Sequence, residues 1–256
     1  MNLTPSLNPV AQGIRIFSSW LWQQLASLSE QLVSHTILAP LAWPRAATAF
    51  YYLSLHLCWG VAGLLLILGI MRLMWPQMGW SGLYPMGPWE FVERTVVAAV
   101  LGSAGLWTVH QLLSINNGMV LALKPPNVAW PASPITASWM SPLLVLVFSL
   151  LIVALVVYLA VFYAIRGIEI LLLTALLPWG ALLWATGFHP TGIGRLFREL
   201  VALIFVQSLH AGVLWIAWGM LGGHSLNATG LILEVGLLWY MTKIPTQFRH
   251  LIGRGW

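Results

Sequence analysis

The stretch that decides the fold is SPLLVLVFSLLIVALVVYLAVFYA, residues 141–164. It contains no charge and no glycine, and no proline after Pro142. A helix of 24 residues is about 36 Å long, and a hydrocarbon core is roughly 30 Å thick. The segment is therefore long enough to cross a membrane, and the rest of the chain has to be interpreted with lipid as a solvent.

The composition supports the same interpretation. The chain of 256 residues is 59% hydrophobic and 7% charged, whereas soluble domains carry roughly 25% charged residues. Sixteen tryptophans fit an interfacial aromatic belt. One cysteine, Cys58, excludes an intramolecular disulfide framework. The net charge of +5 is best explained by basic loops facing anionic lipid headgroups.

Apolar and charged residues divide the chain into three parts. Residues 1–40 contain apolar positions at spacings of three and four, including Phe17 and Leu28, which predict an amphipathic helix lying in the interface or packing on a partner helix. Residues 41–245 form the membrane part, and residues 246–256 a short basic tail. The expected fold class is all-α: a polytopic membrane helical bundle with five or six transmembrane helices.

The number of spans depends on the junction Arg166-Gly167-Ile168-Glu169. Two spans with a tight turn here would give six crossings, although Gly167 is the only turn residue. One long helix over residues 142–188, kinked near Pro178, would give five and would pair Arg166 with Glu169 at i,i+3. The N-terminus is cytoplasmic in the first arrangement and external in the second.

Orientation follows from the distribution of lysine and arginine over the loops. Six crossings place eight basic residues on one side and three on the other, and five crossings place seven against three. Both arrangements put the basic loop with Arg195 and Arg198 in the cytoplasm, together with the C-terminus. The last predicted span, Ala228 to Thr242, is shorter than the usual minimum of ~17 residues.

Ionisable and polar side chains inside apolar spans are costly, so each is a functional candidate. Glu234 interrupts LILEVGLL and has no basic residue three or four positions away. Gln207 and His210 share one helical face, which favours a polar patch between helices. Arg166 and Glu169 are interpreted as a helix-end or buried ion pair.

Catalytic and cofactor motifs are absent from the sequence. There is no phosphate-binding loop, nucleophile elbow or zinc-ligand spacing, so an enzyme is not expected and neither is a resident metal or cofactor. His56, His110 and His210 lie in apolar runs and could in principle ligate haem in a respiratory anchor subunit. None of them has a second histidine three or four residues later.

Several short segments resemble a known family. They are Tyr163-Ala164-Ile165-Arg166, Ala175-Leu176-Leu177-Pro178, Gly194-Arg195-Leu196-Phe197-Arg198 and Val206-Gln207-Ser208-Leu209-His210. In this order, with an N-terminal amphipathic helix, a short final span and a basic tail, the chain resembles the TrbL-type polytopic inner-membrane subunits of type IV secretion and conjugation systems.

The resemblance implies a non-enzymatic channel or scaffold component. Several copies would assemble in the inner membrane with other secretion subunits, including ATPases, and help pass DNA or protein. Arg195 and Arg198 would face the cytoplasmic machinery. The alternative is a membrane permease, in which Glu234, Gln207 and His210 lie near a substrate or proton path.

Overall fold

The structure is a computed structural model that describes residues 9–74, 88–124, 142–187, 191–221 and 228–253. Every regular element in these ranges is helical. The helices are α1 (Pro9–Leu32), α2 (Arg45–Met74), α3 (Pro88–Ala122), α4 (Pro142–Ala185), α5 (Gly192–Leu221) and α6 (Ala228–Gly253). A π-helical turn, Val33–Ile37, extends α1. The predicted all-α membrane fold is confirmed.

Helix α4 continues through residues 166–169, where the sequence allowed either a turn or an unbroken helix. It runs unbroken for 44 residues, through Gly167 and Pro178, and is therefore about 66 Å long. A glycine costs a helix only about 1 kcal/mol relative to alanine, and proline is tolerated in membrane helices. The six-span prediction of a turn at this junction is wrong, and the single-helix alternative is the one observed.

Four of the described helices are long and apolar enough to cross a membrane. Their qualifying segments are Arg45–Leu68, Trp89–Ala122, Leu150–Ala185 and Gly192–Ala217. Helix α6 is not among them, although it is 26 residues long and continues well past the predicted end of the last span at Thr242. The part of the predicted basic tail that the structure describes, up to Gly253, is helical.

Helix α1 packs with a face other than its apolar stripe, which the spacing assigns to the interface or to a partner helix. Phe17 and Leu28, both on the predicted apolar stripe, are 54% and 47% exposed. Trp22, Ser29 and Val33 are buried instead. At 100° per residue these three lie roughly a quarter-turn from the stripe. Phe17 and Leu28 are consequently left facing outward, where lipid or another chain would cover them, whereas Leu32 of the same stripe packs against the core.

The chain forms two compact units, each built from separate stretches of sequence. The first comprises Met1–Pro40, Gly118–Ile165 and Val206–Gln247. Its core includes Trp22, Leu155, Leu159, Leu214 and Met241.

The second unit comprises Leu41–Asn117, Arg166–Phe205 and Phe248–Trp256. Its largest core cluster includes Val109, Ile170, Leu200 and Ile204. Helices α3, α4, α5 and α6 each contribute residues to both units, so neither unit coincides with the three-part division expected from the sequence.

Candidate functional site

Arg166 is almost completely buried in the second unit, with 1% of its surface exposed. Its Nε donates to the carbonyl oxygen of Leu203 at 2.6 Å and its Nη2 to that of Ile204 at 3.0 Å. Hydrogen bonds from a charged donor are roughly twice as strong as neutral ones. Arg166 therefore fastens α4 to the middle of α5 through the backbone.

The predicted pairing of Arg166 with Glu169 stays a prediction, and Glu169 also binds a residue on another helix. Its Oε2 lies 3.3 Å from Nη2 of Arg249, and Nε of Arg249 lies 3.2 Å from Oε2 of Glu199. All three side chains are about two-fifths exposed. Sequence spacing indicates a partner on the same helix, and the structure shows a contact with Arg249, which is 80 residues away in α6. The network joins the end of α6 to α4 and α5.

Gln207 caps the end of the N-terminal helical segment in the first unit. Its Nε2 donates to the carbonyl oxygens of Ile37 at 3.0 Å and Ala39 at 2.7 Å. Carbonyl groups at the end of a helix lack partners within the helix. Here the amide of Gln207, which is only 1% exposed, donates the hydrogen bonds to these carbonyl groups.

His210 bridges α4 and α6 within the same unit. Its Nδ1 lies 2.8 Å from the hydroxyl oxygen of Tyr163, and its Nε2 lies 2.9 Å from the carbonyl oxygen of Met241. Since a carbonyl can only accept, Nε2 carries a proton and donates it to Met241. In the neutral imidazole Nδ1 then accepts from the Tyr163 hydroxyl, so one tautomer satisfies both contacts.

A proline explains why the Met241 carbonyl needs this donor. Pro245 lies inside α6, four residues after Met241. Proline has no backbone N–H, so the usual helical hydrogen bond to the carbonyl four residues earlier is missing. The histidine replaces that bond from a neighbouring helix. Neither contact was predicted from the sequence, but the spacing Met241-x-x-x-Pro245 in an apolar helix is a signal for an unpaired carbonyl.

An unexpected feature is a polar face in the middle of α3. The exposed side chains of Ser103, His110, Gln111 and Ser114 form it, with the exposed Trp107 among them. We call these residues the polar face of α3. The His110 ring lies 5.4 Å from the indole of Trp43, centroid to centroid. From the sequence, His110 was a candidate only as a lone histidine in an apolar run, and the polar face was not predicted.

Three predicted site residues gain little further definition. Glu234 lies within α6, but its side chain is outside the described part of the structure. Arg195 is exposed in the first turn of α5, and Nε of Arg198 donates to the carbonyl oxygen of Gly194 at 3.3 Å. Among the described residues, no three histidine, cysteine or acidic side chains converge as a metal site.

Comparison with known proteins gives no match. No protein-family model fits this chain, and neither a curated protein nor a solved structure is significantly similar to it.

Proposed function

We propose that this chain is a non-enzymatic channel or scaffold subunit of a type IV secretion or conjugation machine in the inner membrane. The resemblance of the segments around Arg166, Arg195 and Gln207 to TrbL-type subunits supports the proposal. In such a machine the chain forms homo-oligomers, contacts other secretion subunits including ATPases, and helps DNA or protein to cross.

The observation that carries the proposal is the polar face of α3. No charged residue lies between Arg94 and Lys124, and a hydrocarbon core takes about 20 residues. Any such stretch between these two charges contains residues 104–114, so His110, Gln111 and Ser114 lie at core depth. Exposed apolar residues flank them on the same helix, at Val96 and Leu121.

This pattern is the reverse of what a lipid-facing helix needs. Polar groups in hydrocarbon are expensive because lipid offers them no hydrogen-bond partners. A helix that is apolar at its ends and polar at its centre is suited to facing protein or a water-filled passage. The polar face of α3 is therefore covered by another subunit or lines a conduit, and both arrangements require an assembly.

The proposed orientation places the C-terminus and the loop before α5 in the cytoplasm. Seven basic residues then lie on the cytoplasmic side against three outside, in keeping with the positive-inside rule. The ion pair between Arg249 and Glu199 supports placing both on one side, since it keeps the end of α6 beside the first turns of α5. Arg195 and Arg198 are then available to the cytoplasmic machinery.

Cysteine chemistry at α3 tests the proposal. In a Cys58→Ala background, Ser114→Cys is expected to cross-link between copies or to react with a membrane-impermeant thiol reagent in native membranes. Leu57→Cys is the matched control, because Leu57 is 56% exposed in the middle of an apolar span. Leu57→Cys should neither cross-link between copies nor react with the reagent.

The native mass of the detergent-extracted protein provides the second measurement. A ring of several copies is expected. A monomer or simple dimer, with Ser114→Cys as inert as Leu57→Cys, would contradict the proposal and favour the permease. Transport lost in Glu234→Gln would favour the permease further.

A further inference from the structure

A groove of about 330 Å³ runs between α4 and α5 in the second unit. Its walls are mostly apolar and include Leu176, Trp179, Leu183 and Leu196. Arg195 also borders it, in the first turn of α5, at the end of a helix that is long and apolar enough to cross a membrane. The volume is at the lower end of the range typical of small-molecule sites, about 300–1,000 Å³. We call it the α4–α5 groove.

Two contacts shape the α4–α5 groove before anything binds. Gly180 leaves room for the side chain of Leu196, since a Cβ atom there would lie only 2.6 Å from Cδ1 of Leu196. The indole Nε1 of Trp179 donates to the hydroxyl of Ser54 at 3.0 Å, which fixes the orientation of the ring.

The charge around the α4–α5 groove is positive. Glu199 borders it, but its carboxylate is paired with Arg249. Glu169 binds the same arginine. Counting Arg195 and Arg198, three guanidinium groups stand against two carboxylates. The guanidinium of the exposed Arg195 is therefore an attractive site for an anion at the level of the membrane surface.

We infer that the α4–α5 groove binds an anionic phospholipid, with an acyl chain against its apolar wall and the phosphate group at Arg195. Apolar walls alone would fit any lipid. A basic residue at the end of a groove between membrane helices selects those with anionic head groups. This inference does not depend on the proposed function, since it uses only the groove and its charge.

Native mass spectrometry of the full-length protein in mild detergent tests the inference. With added phosphatidylglycerol, the wild type should retain more lipid than with phosphatidylcholine of the same chains. Arg195→Gln should weaken phosphatidylglycerol binding about fivefold, the factor expected for one basic residue at a membrane surface. Arg195→Lys should keep most of it.

Two further variants separate charge from shape. Arg45→Gln removes an exposed arginine from the first turn of α2 and should leave binding unchanged. Leu183→Trp narrows the groove from a partly exposed position and should weaken both lipids. Equal retention of the two lipids by the wild type, or equal losses in Arg195→Gln and Arg45→Gln, would overturn the inference.

Discussion

The Met241 carbonyl shows how a proline in one helix is compensated by a hydrogen-bond donor from a neighbouring helix. Because Pro245 cannot donate to this carbonyl, α6 carries a gap in its backbone hydrogen bonding, and His210 fills the gap from α5. Arg166 was recognisable from the sequence as a charge in an apolar run. The carbonyls of Leu203 and Ile204 were not recognisable as its acceptors, because no proline four residues later marks them in the sequence. Sequence spacing therefore offered only Glu169, on the same helix, as a partner of Arg166.

Replacing His210 with phenylalanine tests this dependence. His210→Phe removes the donor to the Met241 carbonyl and the acceptor of the Tyr163 hydroxyl, and should lower the free energy of unfolding by about 1–3 kcal/mol. In a Pro245→Ala background the loss should be smaller, since the alanine supplies the missing backbone N–H. Unfolding in mixed micelles measures both values.

Tyr163→Phe serves as the control for the comparison of His210→Phe with proline and with alanine at position 245. It removes the Tyr163 contact but leaves the bond to Met241, so its effect on the free energy of unfolding should be the same with proline or with alanine at position 245. If His210→Phe also costs the same in both backgrounds, the proline is not the reason for the histidine.

At the level of the element, periodicity and apolar length predicted where helices form better than which face they bury. The spacing in α1 predicted a helix, yet the buried residues are Trp22, Ser29 and Val33. In a membrane protein, lipid covers an apolar stripe as well as protein does, so the stripe does not identify the packed face. The continuity of α4 was similarly open, because Gly167 alone neither ends a membrane helix nor excludes a turn.

Two glycines in α4 provide a matched pair for testing helix packing. Gly180→Val should be destabilising by about 1–3 kcal/mol, the usual cost of overpacking, because its side chain would meet Leu196 and Ile193 of α5. Gly167→Val makes the same change where nothing lies within 4 Å of the added Cβ. Free energies of unfolding in micelles should differ by that amount. Equal values for the two variants would refute the close approach at Gly180.

For the whole molecule, the unbroken α4 makes a prediction about topology. In the proposed orientation α6 crosses the membrane together with α2, α3, α4 and α5, and five crossings put the two ends of the described chain on opposite sides. In a Cys58→Ala background, Gln12→Cys should react with an impermeant thiol reagent added to intact cells. Gln247→Cys should react only after the membrane is opened.

Other labelling patterns have distinct meanings. Protection of both sites in intact cells would mean that the ends share the cytoplasmic side, and external reaction of both would mean that α6 does not cross. Either result would contradict the proposed orientation.

For the molecule as a whole, composition was enough to predict a membrane protein. Whether α6 crosses, and what covers the polar face of α3, was not readable from the sequence, because both depend on packing between elements far apart in the chain.

The gap in the hydrogen bonding of α6 has a consequence for biogenesis. A helix that carries an unpaired carbonyl and is less apolar than its neighbours is a poor substrate for insertion by itself. Helix α5 is synthesised earlier and already holds His210. We therefore expect α6 to leave the translocon together with α5 as a helical hairpin. The imidazole of His210 would then donate to the Met241 carbonyl as α6 enters the membrane.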